Sequence, residues 1–318
     1  MNHPMHPLDR VAMAEMRRMV APMKGSITGP SARAPFNELM EKTPAADGVT
    51  YEKADVGGVP GWWCRPDEPA TAAAVLYLHG GAYVVGSARA YQHFVGQVAA
   101  QAKVAAFVPE YSLAPEHPFP AAVDETLAAY RGLVKQGVTK IALAGDSAGG
   151  GLALALLSLL AANARDDSTP RPIGAAVMSP WTDLALSGSS METRAEADPL
   201  LTKDSLASAA QLYLGTHDAR DPRASPLYSD LAELPPVRIH LGEDEILLDD
   251  SLRYGERLEL EGGTVQVHTW DGMIHVFPSN VAVLHAAKEA LDDIGDFLRK
   301  QFSMSPGQTI DQSIGSER

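Results

Sequence analysis

The chain has 318 residues, of which 45% are apolar and 21% are charged, a composition typical of a globular protein rather than a fibrous or disordered one. Its 40 Asp and Glu residues outnumber its 26 Lys and Arg residues, which gives a formal net charge of −14. Because such a surface repels polyanions, the composition argues against a nucleic-acid partner.

The ends of the chain and its apolar runs predict where the protein works. Residues 1–7 contain two prolines and no apolar run, so they read as a loose terminus and not as a secretory signal. The apolar stretch Leu152–Leu157 is far shorter than the roughly 20 residues that cross a bilayer. With a single cysteine, Cys64, no intramolecular disulfide forms. We expect a cytoplasmic protein without a membrane partner, and a disordered tail over residues 303–318.

From about residue 50 onward, short apolar runs alternate with segments of helical periodicity. Two runs, Val49–Val56 and Val59–Arg65, are separated only by Gly57-Gly58, which predicts an antiparallel hairpin at a sheet edge. The later predicted strands are Ala73–Leu78, Val104–Pro109, Lys140–Ala144, Ala175–Met178, Val237–Leu241 and Val265–Trp270. The predicted helices between them are Ala90–Ala102, Ala121–Lys135, Gly150–Asn163, Ser251–Leu260 and Val281–Gln301. This alternation predicts an α/β fold, with a mostly parallel central sheet and helices on both faces.

Two segments interrupt the alternation, and we expect them to form a helical cap. One is the N-terminal segment, residues 1–45, with a helix predicted over Asp9–Val20. The other is an insertion, residues 185–234, which separates the core segments 46–184 and 235–302. Ligands of open α/β sheets bind at the carboxyl ends of the strands, where such a cap would lie.

The most specific local pattern is Gly145-Asp146-Ser147-Ala148-Gly149, which follows an apolar run and opens a helical segment. A Gly-x-Ser-x-Gly sequence between a strand and a helix is typical of a sharp turn that exposes the serine hydroxyl. Small residues let neighbouring backbone pass close, and a helix N-terminus favours developing negative charge. The alternative is a glycine-rich turn that merely contains a serine. The pattern indicates Ser147 as a nucleophile.

A second motif, His-Gly-Gly-Ala-Tyr at residues 79–83, follows the first buried strand of the predicted sheet. Acyl transfer creates an oxyanion, which backbone N–H groups aimed at one point stabilise. Paired glycines expose such donors without side-chain obstruction, and a glycine-rich loop supplies them in lipases and esterases. We therefore predict an oxyanion hole formed by the amides of Gly80, Gly81 and Ala148.

A serine hydroxyl needs a general base at neutral pH, and the chain offers ten histidines. Most lie in the loose N-terminus, the cap, or predicted strands and helices, where packing or solvation explains them. His275 lies on a loop directly after the strand that ends at Trp270, which fits the chain order serine, acid, histidine. The acid belongs on the loop after the preceding strand, residues 242–250, where composition alone does not choose among five carboxylates.

In this order the motifs resemble the hormone-sensitive-lipase-like esterases, a bacterial family with the α/β-hydrolase fold. The matching segments are residues 79–83, 111–116, 145–150, 179–184 and 272–277. The resemblance implies a serine carboxylesterase for short-acyl esters that needs no metal or organic cofactor, with Ser147 as nucleophile and His275 as base. A lactone hydrolase or small-molecule deacetylase on the same triad is the alternative. A non-catalytic ligand receptor is least expected, because the triad is retained.

The acid loop departs from the family pattern, which is Asp-Pro-Leu-x-Asp. Here the register reads Glu245-Ile246-Leu247-Leu248-Asp249, so Glu245 takes the place of the first aspartate. Its separation from His275, 275 − 245 = 30 residues, resembles that of the family. Because some family members use glutamate, Glu245 is the predicted acid, with Asp244 as the second candidate.

The sequence also offers candidates for the substrate pocket and for partners. Pocket candidates are Tyr83, Asp146, Trp181, Ile246 and Val276. A methionine stripe near the N-terminus has two interpretations, pocket lining or packing against a neighbour, and comprises Met13, Met16, Met19 and Met23. Family members that pair through the last sheet edge suggest a homodimer. No carboxylate groups with histidine at metal-ligand spacing in the sequence, so we expect no metal site.

Overall fold

The computed structural model describes residues 1–163 and 169–304, which form one central sheet covered by helices on both faces. The strands are β1 (Asn2–His3), β2 (Val49–Val56), β3 (Val59–Pro66), β4 (Ala73–Leu78), β5 (Ala106–Pro109), β6 (Lys140–Asp146), β7 (Ala175–Met178), β8 (Val237–Gly242) and β9 (Val265–Trp270). Their order across the sheet is β1-β9-β8-β7-β6-β4-β5-β3-β2.

The helices alternate with the strands from β4 onward. They are α1 (Asp9–Val20), α2 (Arg33–Met40), α3 (Ala88–Ala102), α4 (Ala121–Lys135), α5 (Ser147–Asn163), α6 (Ser190–Thr193), α7 (Lys203–Leu214), α8 (Leu248–Leu260) and α9 (His285–Ser303). Within the described ranges, none of the helices combines the length and the apolar character needed to span a membrane.

The sheet is parallel except at one edge. Strands β2 and β3 form an antiparallel hairpin, in which Val49 pairs with Pro66, and β3 is also antiparallel to β5. The pairs β4–β5, β4–β6, β6–β7, β7–β8 and β8–β9 are parallel. The predicted α/β class and the edge hairpin are therefore confirmed.

The two faces of the sheet each carry a core. Along β4, Leu76 and Leu78 pack in the layer with α4, α5 and α8, whereas Val75 and Tyr77 pack in the layer with α3 and α9. All four side chains are fully buried, which explains why the strand is apolar at consecutive positions. Burying each such side chain contributes about 1.5–3 kcal/mol. This double burial holds the carboxyl ends of the strands rigidly in place.

Among the boundaries that differ from the sequence predictions, three have a clear physical cause or consequence. Residues 2 and 3 are not loose but form β1, in which His3 pairs with Trp270. Helix α5 starts at Ser147, not Gly150, because the nucleophile turn leads directly into the helix. Helix α9 starts at His285, where the buried carboxylate of Asp9 accepts hydrogen bonds from the first two amides of the helix. This cap comes from a distant segment, so the local sequence did not reveal it.

The N-terminal segment and the insertion meet over the carboxyl ends of the strands. Lys24 Nζ donates to the carbonyl of Ala195 at 2.6 Å, and the amide of Gly25 donates to the carbonyl of Leu200 at 2.8 Å. Helices α2, α6 and α7 in these segments were not anticipated from the sequence. The helical cap stays the interpretation of both segments. Of the predicted tail, Ser303 ends α9, and residues 305–318 lie outside the described residues.

Candidate active site

Ser147 occupies a strained turn between β6 and α5. Its φ is +51°, a left-handed conformation that side chains with a Cβ rarely adopt and that is typical of functional positions. A Cβ at Gly145 would collide with the carbonyl of Gly149, and one at Gly149 would collide with the carbonyl of Leu78. The two glycines are therefore required for the close backbone approach that the motif predicts.

His275 lies next to Ser147 although 128 residues separate them in the chain. Its Nε2 is 2.9 Å from Ser147 Oγ, within hydrogen-bond distance. The loop after β9 places the imidazole at the end of β6, where α5 begins. A neutral imidazole at this position accepts the hydroxyl proton, as a general base must.

Glu245 is the carboxylate that faces the imidazole. Its Oε1 is 3.4 Å from His275 Nδ1, a long contact for a hydrogen bond, and its side chain is fully buried. The other oxygen, Oε2, accepts hydrogen bonds from the Ser179 hydroxyl at 2.7 Å and the Gly242 amide at 3.1 Å. These donors orient the carboxylate so that Oε1 remains available for His275.

Ser179 belongs to the site, although the sequence reasoning assigned it no role. Its Oγ donates to Glu245 and accepts from the backbone amide of Val276 at 3.0 Å, so one hydroxyl links the loops of the acid and the base. It follows β7 and has a φ of +47°. The available signal was its place in the motif at residues 179–184, directly after a buried strand.

Asp244, the second candidate acid, lies elsewhere. Its carboxylate pairs with the guanidinium of Arg17 from helix α1. No contact between Asp244 and His275 occurs within residues 1–163 and 169–304, and the geometry favours Glu245.

The environment of His275 raises the pKa of its imidazole above the ordinary 6.5. Burial alone lowers this pKa, but the hydrogen bond to Glu245 and the charge of that carboxylate more than offset it. More distant charges, on Asp198 and Asp146, act in the same direction. Catalysis requires the neutral imidazole, so a raised pKa moves the onset of activity to higher pH.

We expect kcat/KM to rise with pH through a limb whose midpoint lies above 6.5. Replacing Glu245 with Gln removes the charge that raises the pKa, so the limb should shift to lower pH while the plateau falls. Steady-state kinetics across the acid and neutral range measures both. A limb that keeps its position in Glu245→Gln would mean that another group is titrating.

The loop at residues 79–83 lies beside Ser147, but one predicted oxyanion donor is already occupied. The amide of Gly80 donates to Asp146 Oδ1 at 3.1 Å, and both groups are buried. Because an amide engaged with a carboxylate is not free for an oxyanion, the prediction for Gly80 is corrected.

Three other backbone amides, two in this loop and one at the start of α5, are candidates to bind an oxyanion. Within the described part of the chain, the amides of Gly81, Ala82 and Ala148 have no hydrogen-bond acceptor. Gly81 has a φ of +119° and Ala82 a φ of +52°, and these left-handed conformations shape the loop. Gly81 and Ala148 stay predicted donors, and Ala82 joins them. The sequence argument did not include Ala82, because that argument rests on glycines, which expose their amides without a side chain.

Asp146 was predicted to line the pocket, but its buried carboxylate instead binds the loop at residues 79–83. Its carboxylate is buried and accepts hydrogen bonds from the hydroxyls of Tyr77 at 2.8 Å and Tyr91 at 3.0 Å, besides the Gly80 amide. Burial raises the pKa of Asp146 to about 6, although these donors favour the charged form. Its prediction as a pocket residue is therefore corrected.

Aromatic side chains crowd the space near the first turn of α5. The amide of Trp181 donates to the carbonyl of Ser147 at 2.9 Å. The Tyr83 ring lies 6.2 Å from the Trp181 ring and stacks at 3.8 Å on Tyr213 of helix α7. All three side chains are buried. Tyr83 and Trp181 thus stay pocket candidates, and Tyr213 extends the set into the insertion.

The remaining pocket candidates flank the triad. Ile246 is fully buried after the acid, and its amide donates to Asp198 at 2.9 Å. Val276 follows the base, is partly exposed and has a φ of +51°. In the methionine stripe, Met13 and Met16 are buried in the core. Met19 and Met23 are exposed.

A histidine–carboxylate cluster that the sequence reasoning did not anticipate lies between β8, β9 and α9. His240, His268 and Asp293 bring their ligand atoms within 4.8 Å of one another. The parallel register of β8 and β9 sets the two histidines side by side, which sequence spacing does not reveal. Burial lowers the pKa of His268 to about 3, so this ring is neutral at pH 7.

Hydrogen bonds organise His240 and Asp293, whereas the buried Nε2 of His268 has no partner among the described residues. Trp270 Nε1 donates to His240 Nδ1 at 3.1 Å, so His240 Nε2 carries the proton and donates to Asp293 at 2.9 Å. Arg238 pairs with the same carboxylate. A neutral His240 in this tautomer has no free lone pair, so His240 is not a metal ligand in this arrangement.

Comparison with known proteins identifies the family to which the chain belongs. A family model described as alpha/beta hydrolase fold matches residues 75–279, which include Ser147, Glu245 and His275. The chain belongs to the α/β-hydrolase family.

Relatives of this α/β-hydrolase are similar over most of their length. An acetyl-hydrolase from Streptomyces hygroscopicus is 41% identical over 259 residues, which cover 80% of this chain and 83% of the relative. A crystallised esterase of the bacterial hormone-sensitive lipase family is 37% identical, with a TM-score of 0.84 over 91% of this chain and 99% of that one. EstE5, solved after soaking with p-nitrophenyl butyrate, is 37% identical, with a TM-score of 0.83 over 94% and 100%. The resemblance to the hormone-sensitive-lipase-like esterases is confirmed.

Proposed function

We propose that this α/β-hydrolase cleaves short-acyl carboxylic esters through an acyl-enzyme on Ser147. The chain is a carboxylic ester hydrolase by family and relatives. The observation that supports these residue roles is the contact of 2.9 Å between Ser147 Oγ and His275 Nε2, with Glu245 behind the imidazole. Nucleophilic acyl transfer needs a hydroxyl, a base and a carboxylate that orients the base, and these three groups contact one another here in that order.

In the first half of the reaction, Ser147 Oγ attacks the ester carbonyl carbon while its proton passes to His275 Nε2. The carbonyl oxygen becomes an oxyanion, which the free amides of Gly81, Ala82 and Ala148 stabilise. Glu245 stabilises the imidazolium that forms. The tetrahedral species collapses, the bond to the alcohol breaks, and the alcohol leaves with the proton from His275.

In the second half, water replaces the alcohol. His275 takes a proton from the water as its oxygen attacks the acyl carbon, and a second oxyanion forms at the same amides. Collapse breaks the bond to Ser147 Oγ, which regains its proton from the imidazolium. The carboxylic acid leaves, and the site returns to its starting state. Besides the ester and water, these steps use side chains and amides of this chain.

A small acyl group is proposed because aromatic side chains fill the space beside the nucleophile. Tyr83, Trp181 and Tyr213 are buried there and pack on one another. Rigid aromatic walls leave little room for a long chain, since overfilling a packed site is costly. The acetyl-hydrolase relative, by its name, acts on acetyl, a two-carbon acyl group.

We expect kcat/KM for p-nitrophenyl esters to be highest at acetate to butyrate and to fall by at least about 10-fold at octanoate, because even one methylene that does not fit costs about 1–3 kcal/mol. Initial rates across the ester series test this. The control is Ser147→Ala on each ester. Rates that increase steadily to the longest acyl chain would contradict the short-acyl proposal. Faster turnover of lactones than of any open ester would favour the lactone hydrolase instead.

We further propose that the protein works in the cytoplasm and as a homodimer. Its one cysteine, Cys64, is free and buried, which suits a reducing compartment. The dimer rests on the family resemblance, in which pairing uses the last sheet edge. In this chain that edge, at Thr269 and Trp270 of β9, is covered by β1. A partner copy would therefore meet the N-terminal segment, and sedimentation of the full chain measures the assembly.

A further inference from the structure

Arg17 of the N-terminal helix α1 contacts three separate segments around the triad. Its Nη1 donates to the carbonyl of Ala197 in the insertion at 2.7 Å. Its Nη2 donates to the carboxylate of Asp244 and to the carbonyl of Gly272 at 3.0 Å. One planar guanidinium thus connects the cap, the acid loop and the base loop, a geometry that its fixed fork of donors permits.

Both loop contacts are adjacent to catalytic side chains. Asp244 immediately precedes Glu245, and Gly272 lies three residues before His275. The two loops also share a backbone hydrogen bond, in which the amide of Asp244 donates to the carbonyl of Met273 at 3.0 Å. Arg17 therefore adds a further connection, through its guanidinium, to those that this backbone bond and the Ser179 hydroxyl already make between the loops of the acid and the base.

The acid–base contact is sensitive to the relative position of these loops. At 3.4 Å, the distance between Glu245 Oε1 and His275 Nδ1 is already at the long end for a hydrogen bond. A small separation of the loops would lose this contact. Misplacement of reacting groups by about 1 Å can cost about 100-fold in rate.

Helix α1 is anchored without Arg17. Its first residue, Asp9, is buried and caps α9 through the amides of His285 and Ala286 at 2.8 and 2.9 Å. Met13 and Met16 of the same helix are buried in the core. Removing the Arg17 guanidinium therefore leaves the helix docked, and its effect on the loops can be measured separately.

We propose that Arg17 is a positioning residue, through which the N-terminal cap sets the alignment of Glu245 with His275. The proposal rests on the proposed function, since it assigns a role within the same triad. It also gives Asp244 a role, which is to receive the guanidinium and not to act as the triad acid. The cap is then part of the catalytic alignment as well as a cover.

The first test compares Arg17→Met with Arg18→Met, using a p-nitrophenyl ester and the full chain. Arg18 is the matched control because its side chain is 76% exposed and pairs only with Glu15 of its own helix among the described residues. We expect kcat of Arg17→Met to fall by about 10-fold with KM nearly unchanged, because the loops shift while the pocket persists. Arg18→Met should match the wild type.

The second test keeps the proposal falsifiable if Arg17→Met folds poorly. Arg17→Lys keeps the charge but loses the fork, so an intermediate kcat is expected. Asp244→Asn should reduce kcat about as much as Arg17→Met, and the double variant should be little worse than either single variant. Thermal melting of every variant identifies losses that come from unfolding.

Two results would overturn the role of Arg17. One is a kcat for Arg17→Met equal to that of Arg18→Met, and the other is fully additive losses in the double variant with Asp244→Asn. Failure of the proposed function has a different signature, which is turnover that survives Ser147→Ala. The two failures are therefore distinguishable in the same set of assays.

Discussion

Replacing Ser147 with alanine should reduce kcat for a short-acyl ester by about 10⁶-fold, because no nucleophile remains to form the acyl-enzyme. The hydroxyl lies 2.9 Å from His275 Nε2 on a turn whose φ is +51°. Alanine retains the Cβ, so the strained turn and the helix behind it stay in place. Steady-state kinetics with p-nitrophenyl acetate measures the loss.

The matched control for this variant is Ser158→Ala. Ser158 lies on the same helix α5, is buried, and its hydroxyl has no hydrogen-bond partner among the residues described. Its replacement removes a hydroxyl away from the triad, so kcat should stay near the wild-type value. Comparable losses in both variants would mean that the effect of Ser147→Ala arises from the fold of α5.

Replacing Glu245 with glutamine should lower kcat by about 10⁴-fold while leaving the structure intact, because an amide neither fixes the imidazole tautomer nor stabilises the imidazolium. Glutamine has the same shape, so it can still accept from Ser179 and Gly242. The expected loss exceeds that of Asp244→Asn by about 1000-fold, given the smaller effect of a positioning contact.

The comparison with Asp244→Asn decides between the two acids that the sequence left open. Both residues lie in one loop, and both substitutions replace a carboxylate with its amide. A larger loss in Asp244→Asn than in Glu245→Gln would reverse the assignment. The catalytic loss in Glu245→Gln should also come with the shift of the acid limb described above.

Sequence patterns were enough to predict the core of the fold, since its strands are buried on both faces. Consecutive apolar residues at Ala73–Leu78 and Ala175–Met178 gave the bounds of β4 and β7 without error. The glycine pair at residues 57–58 likewise gave the β2–β3 hairpin. In these cases the physical cause, burial or turn geometry, acts on residues that are neighbours in the chain.

The places of the proposed nucleophile, base and acid were also predictable, because each follows a strand whose carboxyl end meets the others at one edge of the sheet. The structure brings Ser147, Glu245 and His275 together as that argument requires. Their supports were not predictable. Ser179 and Asp146 accept hydrogen bonds from backbone amides that are distant in the chain. A single sequence does not show which distant residues form such bonds.

Contacts made by the chain termini were the least predictable. The carboxylate of Asp9 caps a helix 276 residues away, and Arg17 reaches the acid loop 227 residues away. Both side chains lie on a helix whose bounds were predicted correctly. Periodicity predicts that a helix exists, but tertiary packing alone decides which charged side chains turn inward.

The most direct test of the central claim is covalent labelling with an organophosphonate, which reacts with an activated serine, followed by mass spectrometry of the digested chain. We predict one adduct per chain, located on Ser147, with a labelling rate that falls by orders of magnitude in His275→Ala. An adduct on another residue, or a rate at Ser147 that does not depend on His275, would contradict the account.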